Sequence, residues 1–199
     1  MQTLRSGKAV PDICVAAELS DHALTTLAGT GEARGFVERL VMNEAWEDAI
    51  AFLAHAFPQR EGVWWAWTCA REAAGDKPKP AIAASLEATK AWIAEPIDPN
   101  GRGALDAAQV IGIATPAGMA GLAAFLCSDS LAPANAPVTP APEFAAAKAI
   151  VGCVNLAAAP DPKAGSPARY ADLVNRGLEL ADRIKLWTPE ASASPAGNP

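Results

Sequence analysis

His55, Arg60 and Glu61 are the residues in this chain most able to do chemistry together, because they flank the turn at Pro58 and place an imidazole, a guanidinium and a carboxylate within a few residues. A histidine held by a carboxylate can act as a general base, but it also needs a cleft, a substrate-positioning group and usually a nucleophile. The spacing supplies none of these. The plainer reading is a corner clamp in which His55 and Glu61 satisfy exposed helix ends. His22, beside Asp21 at a predicted helix start, is more ordinary still.

No metal site is expected. The two histidines, His22 and His55, lie far apart, with no HExxH or CxxC spacing, and no cofactor motif accompanies them. Cys14, Cys69, Cys127 and Cys153 are scattered, which suits buried thiols in a reducing compartment better than a disulfide framework. Ser128-Asp129-Ser130 lacks a nucleophile elbow and reads as turn chemistry. Gly29-Thr30-Gly31 and Gly101-Arg102-Gly103 are too short for a phosphate loop. No catalytic residue is assigned from the sequence.

Three of the six tryptophans fall together as Trp64-Trp65-Ala66-Trp67. On a helical wheel Arg60, Trp64, Trp67 and Arg71 share one face, and Glu61, Trp65, Cys69 and Glu72 share another about 100° away. Arginines four residues from indoles can lie over the rings with their charge in water. Such a cluster is either dense core or a recognition surface, since tryptophan and arginine dominate interface energetics. His55, Arg60, Glu61, Trp64, Trp65, Trp67 and Arg71 are therefore the candidates for partner or ligand binding.

The elements that must position these residues are helical. Apolar residues make up 51% of the 199, inflated by alanine, the strongest helix former, and no run alternates with period two. The pattern predicts a short helix from Ser20 to Leu27, one ending near Asn43, one carrying Trp46, Ile50, Leu53 and Phe57, and the tryptophan helix from Gln59 to Ala74. Further helices are expected over 81–94, 100–113 and 115–127, the last capped by Thr115 with Pro116 at its first position. Glu143 to Ala158 and Ser166 to Trp187 read as a closing hairpin. The expected architecture is all-α, a stack of antiparallel helical hairpins forming a compact bundle or a short α-solenoid-like array.

Residues 1–19 read as an N-terminal arm, 20–187 as a single domain with a proline-rich connector at 128–142, and 188–199 as a disordered tail. The connector is either a packed strap or a hinge. A net charge of −6 with no basic stripe argues against nucleic acid as a partner. No stretch reaches the roughly 18 apolar residues of a membrane span, and the interrupted N-terminus predicts no export signal, so a cytoplasmic location is expected.

The segment from Trp46 to Arg71, with its His-Ala-Phe-Pro-Gln-Arg-Glu-Gly-Val-Trp-Trp core, resembles an uncharacterised family of Ala-rich, all-helical bacterial proteins. The likeness continues through Ala91-Trp92, Thr115-Pro116 and Ser130-Leu131-Ala132-Pro133, from about Gly35 to Leu180. The resemblance implies an all-α domain and an association with gene clusters of type VI-like secretion machinery; it brings no catalytic residues with it. The leading expectation is a non-enzymatic adaptor, chaperone or accessory protein whose protein partner would be a secretion component or an effector. The alternatives are a small-molecule binder or cryptic enzyme with a Trp-lined pocket around His55, and a structural subunit that forms a homo-oligomer.

Overall fold

In the computed structural model, residues 3–28, 32–133, 135–159 and 167–188 are described. They form ten helices: α1 (Val10–Ala16), α2 (Asp21–Ala28), α3 (Ala33–Met42), α4 (Trp46–Ala56), α5 (Gln59–Ala74), α6 (Pro80–Ala94), α7 (Asp98–Ile111), α8 (Pro116–Leu126), α9 (Ala145–Ala158) and α10 (Pro167–Arg183). The glycine turn at 29–31, the break at 160–165 and the tail from 189 onward, all named from the sequence, lie outside the described residues. Among the described residues no helix is long and apolar enough to cross a membrane.

Start and stop chemistry explains most of the boundaries. Thr115 accepts a hydrogen bond from the Gly118 N–H at 3.1 Å, with Pro116 in the first turn. Ser20 Oγ accepts from the Ala23 N–H at 3.2 Å and donates to Asp48 at 2.7 Å, which ties the start of α2 to α4. Three helices close through a left-handed residue that is not glycine. Glu18, Glu44 and Lys185 adopt left-handed backbone, and the next residue reaches back five positions: Leu19 to the Cys14 carbonyl, Ala45 to Leu40 and Leu186 to Ala181. Leu19 and Leu186 are buried, which supplies the apolar contact that accompanies such a closure.

Two prolines start helices rather than break them. Pro11 and Asp12 lie in the first turn of α1, and Pro99 lies in the first turn of α7, which begins at Asp98. A first-turn proline loses no hydrogen bond, and an acid there faces the positive end of the helix. Residues 3–19 are accordingly more than an arm: Leu4, Val10, Ile13, Cys14 and Leu19 are buried in the core, and α1 packs on α4.

The fold is a set of hairpins. Consecutive short loops pair α6 with α7, α7 with α8 and, through the connector, α8 with α9. The two central helices are α5, against α6, α8, α9 and α10, and α9, against α4, α5, α8 and α10. The expected closing hairpin is looser than a simple pair, because α10 lies across α3, α4 and α5 as well as α9. That return closes the stack on itself, around one continuous apolar core.

Small residues let the last hairpins approach closely. A Cβ built at Gly121 on α8 would stand 2.7 Å from the Ala104 carbonyl oxygen and 3.0 Å from the Ala108 methyl of α7. Backbone cannot swing aside as a side chain can. Gly121→Ala is expected to destabilise the protein by about 1–3 kcal/mol through overpacking, despite alanine's better helix propensity. Urea denaturation checks this; unchanged or increased stability would mean that α7 and α8 are free to separate.

Candidate functional site

The tryptophan helix distributes its rings rather than pooling them. Trp65 is 1% exposed; its indole N–H donates to the Leu173 carbonyl of α10 at 3.1 Å, and its ring lies 5.6 Å from Phe57. Trp67 is half-buried and donates to the Leu86 carbonyl of α6 at 2.9 Å. Trp64 is half-buried, with the Arg183 guanidinium of α10 5.9 Å from its ring centre. Trp64 and Trp65 thus meet α10 and Trp67 meets α6, with Trp64 and Trp67 left partly exposed.

Those two rings line a groove. A hollow of about 230 Å³ between α5 and α10 is walled by Trp64, Thr68, Arg176 and Arg183. A second of about 580 Å³, toward the start of α6, is walled by Trp67, Arg71, Glu72, Pro78 and Leu86. Both include Thr68 and Arg176, so they adjoin along one side of α5. Arg176 is held by Glu72 at 2.8 Å and Asp172 at 3.0 Å. Arg71 is exposed and forms no ion pair with a described residue.

The arginine expected over Trp64 from its own helix is elsewhere. Arg60 donates to the Ile93 carbonyl at 2.7 Å and to Ala94 at 3.3 Å, closing the C-terminal end of α6. The cation that lies over Trp64 comes from α10 instead. Arg169, Arg176 and Arg183 recur at intervals of seven, which keeps them on one face of a helix. That heptad spacing was the sequence signal for this wall of the groove, and a reading local to α5 does not reach it.

His55, Arg60 and Glu61 do not converge. His55 is 2% exposed on α4, with Nδ1 2.8 Å from the Ala51 carbonyl and its ring 5.5 Å from Phe144. Its charged neighbours are Lys8, Lys148 and Glu18, not Arg60 or Glu61. Glu61 stands in the first turn of α5, where a carboxylate faces the helix dipole. The Trp-lined pocket with His55 as its polar group is therefore not formed: the histidine is enclosed between α4, the N-terminal loop and the start of α9.

The remaining nucleophiles are quiet. Burial pushes the thiols of Cys69 and Cys127 up to about 12 and that of Cys14 to about 11, and raises that of Cys153 well above its ordinary value. A thiol so placed is protonated at neutral pH and is a poor nucleophile. Cys153 donates weakly to the Ala66 and Pro116 carbonyls, both at 3.2 Å. Among the described residues no three His, Cys, Asp or Glu side chains gather as a metal ion would require.

Comparison with known sequences places the chain by its central 146 residues. It belongs to a family of unknown function, DUF6931, whose model matches residues 36–181. That span runs from Phe36 on α3 to Ala181 on α10 and so includes the groove residues except Arg183, which lies two positions beyond it. No curated protein and no solved structure matches the chain.

Burial lowers His55 from its usual 6.5, aided by the Lys8 and Lys148 cations and opposed by the Ala51 carbonyl and Glu18. The unfolded chain then takes up a proton near pH 6.5, whereas the folded chain resists until lower pH. Stability is complete above that range and falls as pH drops through it, with a slope of up to about 1.4 kcal/mol per pH unit. Urea unfolding between neutral pH and pH 5 should show this loss in the wild type and a flatter profile in His55→Gln. Parallel profiles for the two proteins would contradict it.

Proposed function

We propose that the protein is a non-enzymatic interaction module, an adaptor, chaperone or accessory protein of a bacterial secretion system, that receives a protein partner in the groove along α5. The observation that carries this reading is the gathering of Trp64, Trp67 and Arg71 with Arg176 and Arg183 of α10 around two adjoining hollows. Half-buried indoles flanked by guanidinium groups are the side chains whose truncation at interfaces costs the most, about 2 kcal/mol or more each. Their rings are fixed in advance by the Trp67–Leu86 hydrogen bond and the Arg183 contact, which reduces the ordering cost of binding. The link to secretion rests on the likeness of the Trp46–Arg71 segment to proteins from such gene clusters.

A second reading, a subunit that assembles with itself, is favoured by apolar side chains left in water. Val110 is 77% and Ile113 46% exposed at the end of α7, and Val15 and Met42 are 78% and 80% exposed on α1 and α3. Light scattering separates it: a concentration-dependent dimer abolished by Val110→Asp supports assembly through α7, and a monomer at every concentration excludes it.

The interaction reading is tested by charge reversal at Arg71, which is exposed and has no ion pair with a described residue to lose. The tagged chain, purified gently from its own host, should retain one stoichiometric protein that Arg71→Glu and Trp64→Ala both release while helicity is unchanged. A solitary protein, or one whose companions ignore both substitutions, would defeat the proposal.

A further inference from the structure

Beneath the last residues of the 128–142 connector lies a cavity of about 510 Å³, distinct from the groove, where the N-terminal loop, the α4–α5 corner, the end of α8 and the start of α9 meet. Ala54, Phe57, Leu126 and Ile150 give it an apolar floor. Its polar groups are short of partners. Ser6 Oγ is buried and has no hydrogen-bond partner among the described residues. The Lys8 ammonium, with three donors to place, has one acceptor among the described residues, the His55 carbonyl, and otherwise lies 5.6 Å from the centre of the Phe144 ring. Behind that same ring, outside the cavity lining, His55 Nε2 is buried with no hydrogen-bond partner among the described residues. Unmet buried polar groups are uncommon in folded proteins, and a cluster of them around one cavity calls for an occupant.

The sign of the missing partner follows from the groups around the cavity. Lys8 is partly buried, and desolvation lowers it from its ordinary value, with Glu143 offsetting this only in part. Pro58 and Phe144, the residues preceding α5 and α9, offer no side-chain cap, and Gln59 and Ala145 to Ala147, in the first turns, line the cavity. Amides in first turns lack intrahelical acceptors and favour negative charge. Phe144 itself is held in left-handed backbone at φ 61°, a conformation that costs a non-glycine residue energy and that recurs at ligand sites. Asp129 and Glu143 also line the cavity, but both are exposed to solvent. Their charge disfavours a guest with several anionic groups more than a guest with a single such group.

We infer that this cavity binds a small molecule bearing one oxyanion, a carboxylate or a phosphate monoester, whose oxygens take the Ser6 hydroxyl, the Lys8 ammonium and the first-turn amides of α9, while its carbon skeleton covers Phe57 and Ile150. The site is independent of the α5 groove, so failure of either leaves the other standing.

Amide NMR titrations with sodium acetate and with methyl phosphate, each against sodium chloride at matched ionic strength, test it. Saturable shifts at the Ser6, Lys8, Ala146 and Ala147 amides are expected. Saturation by acetate alone assigns a carboxylate guest, and by methyl phosphate alone a phosphate ester. Ser6→Ala and Lys8→Met should each weaken binding about tenfold, as loss of one hydrogen bond to a charged group does. Should Lys8→Met lose helicity, Ser6→Ala alone decides. Shifts that stay linear to about 50 mM, beyond any affinity worth calling a site, or saturable binding that Ser6→Ala leaves unchanged, would overturn the assignment.

Discussion

The seating of Trp65 against α10 sets the orientation of everything around α5. Its ring needs a gap in the facing helix, and Gly177 provides one: a Cβ there would stand 3.0 Å from the indole carbons Cε2 and Cζ2 and from Leu53. The N–H reaches the Leu173 carbonyl of the same helix at 3.1 Å, so the indole is both packed and satisfied. With Trp65 turned inward and fixed in rotation, the helical period places Trp64 toward Arg183 and Trp67 toward α6. The groove is thus a by-product of core packing, and its shape is as stable as the core.

The other half of the molecule is built on a different economy of size. Where α5 uses indoles, α7, α8 and α9 meet through alanine and glycine, with Gly121, Ala104, Ala108, Ala120 and Ala124 allowing backbones to come near. Such surfaces bury little apolar area per residue, so their cohesion depends on close dispersion contact over many residues rather than on a few large side chains. The division has a chemical result. Groups capable of directional recognition collect on α5, α10 and the N-terminal loop, and the alanine-rich half serves as their support.

Much of the fold was legible because helix signals are local. Periodicity and capping residues locate α5 to the residue, and Thr115-Pro116 marks the start of α8. Errors came where one residue type serves two purposes. Pro11 and Pro99 look the same as helix breakers and as first-turn residues, and the left-handed ends at Glu18, Glu44 and Lys185 carry no glycine to announce them. The site was less legible, because proximity in sequence was a poor guide to proximity in space. His55 and Arg60 are five residues apart yet serve different neighbours, Phe144 and the end of α6, whereas Trp64 and Arg183 meet from opposite ends of the chain. Lys8 and Ser6 gave no signal at all, since their chemistry arises from burial by the connector and α9.

The connector between α8 and α9 is fastened at its beginning. Arg102, braced by Asp98 at 2.6 Å, donates to the Ser130 and Ala132 carbonyls, and the Ser130 hydroxyl accepts from the Ala132 and Thr139 amides. The Leu131 amide reaches the Thr139 carbonyl at 2.7 Å and closes the neck. Beyond that knot the residues through Pro142 have mostly exposed side chains. Local opening of such a segment would break polar contacts made by one guanidinium and leave the apolar core intact, so the connector is the part of the molecule whose attachment depends on charge.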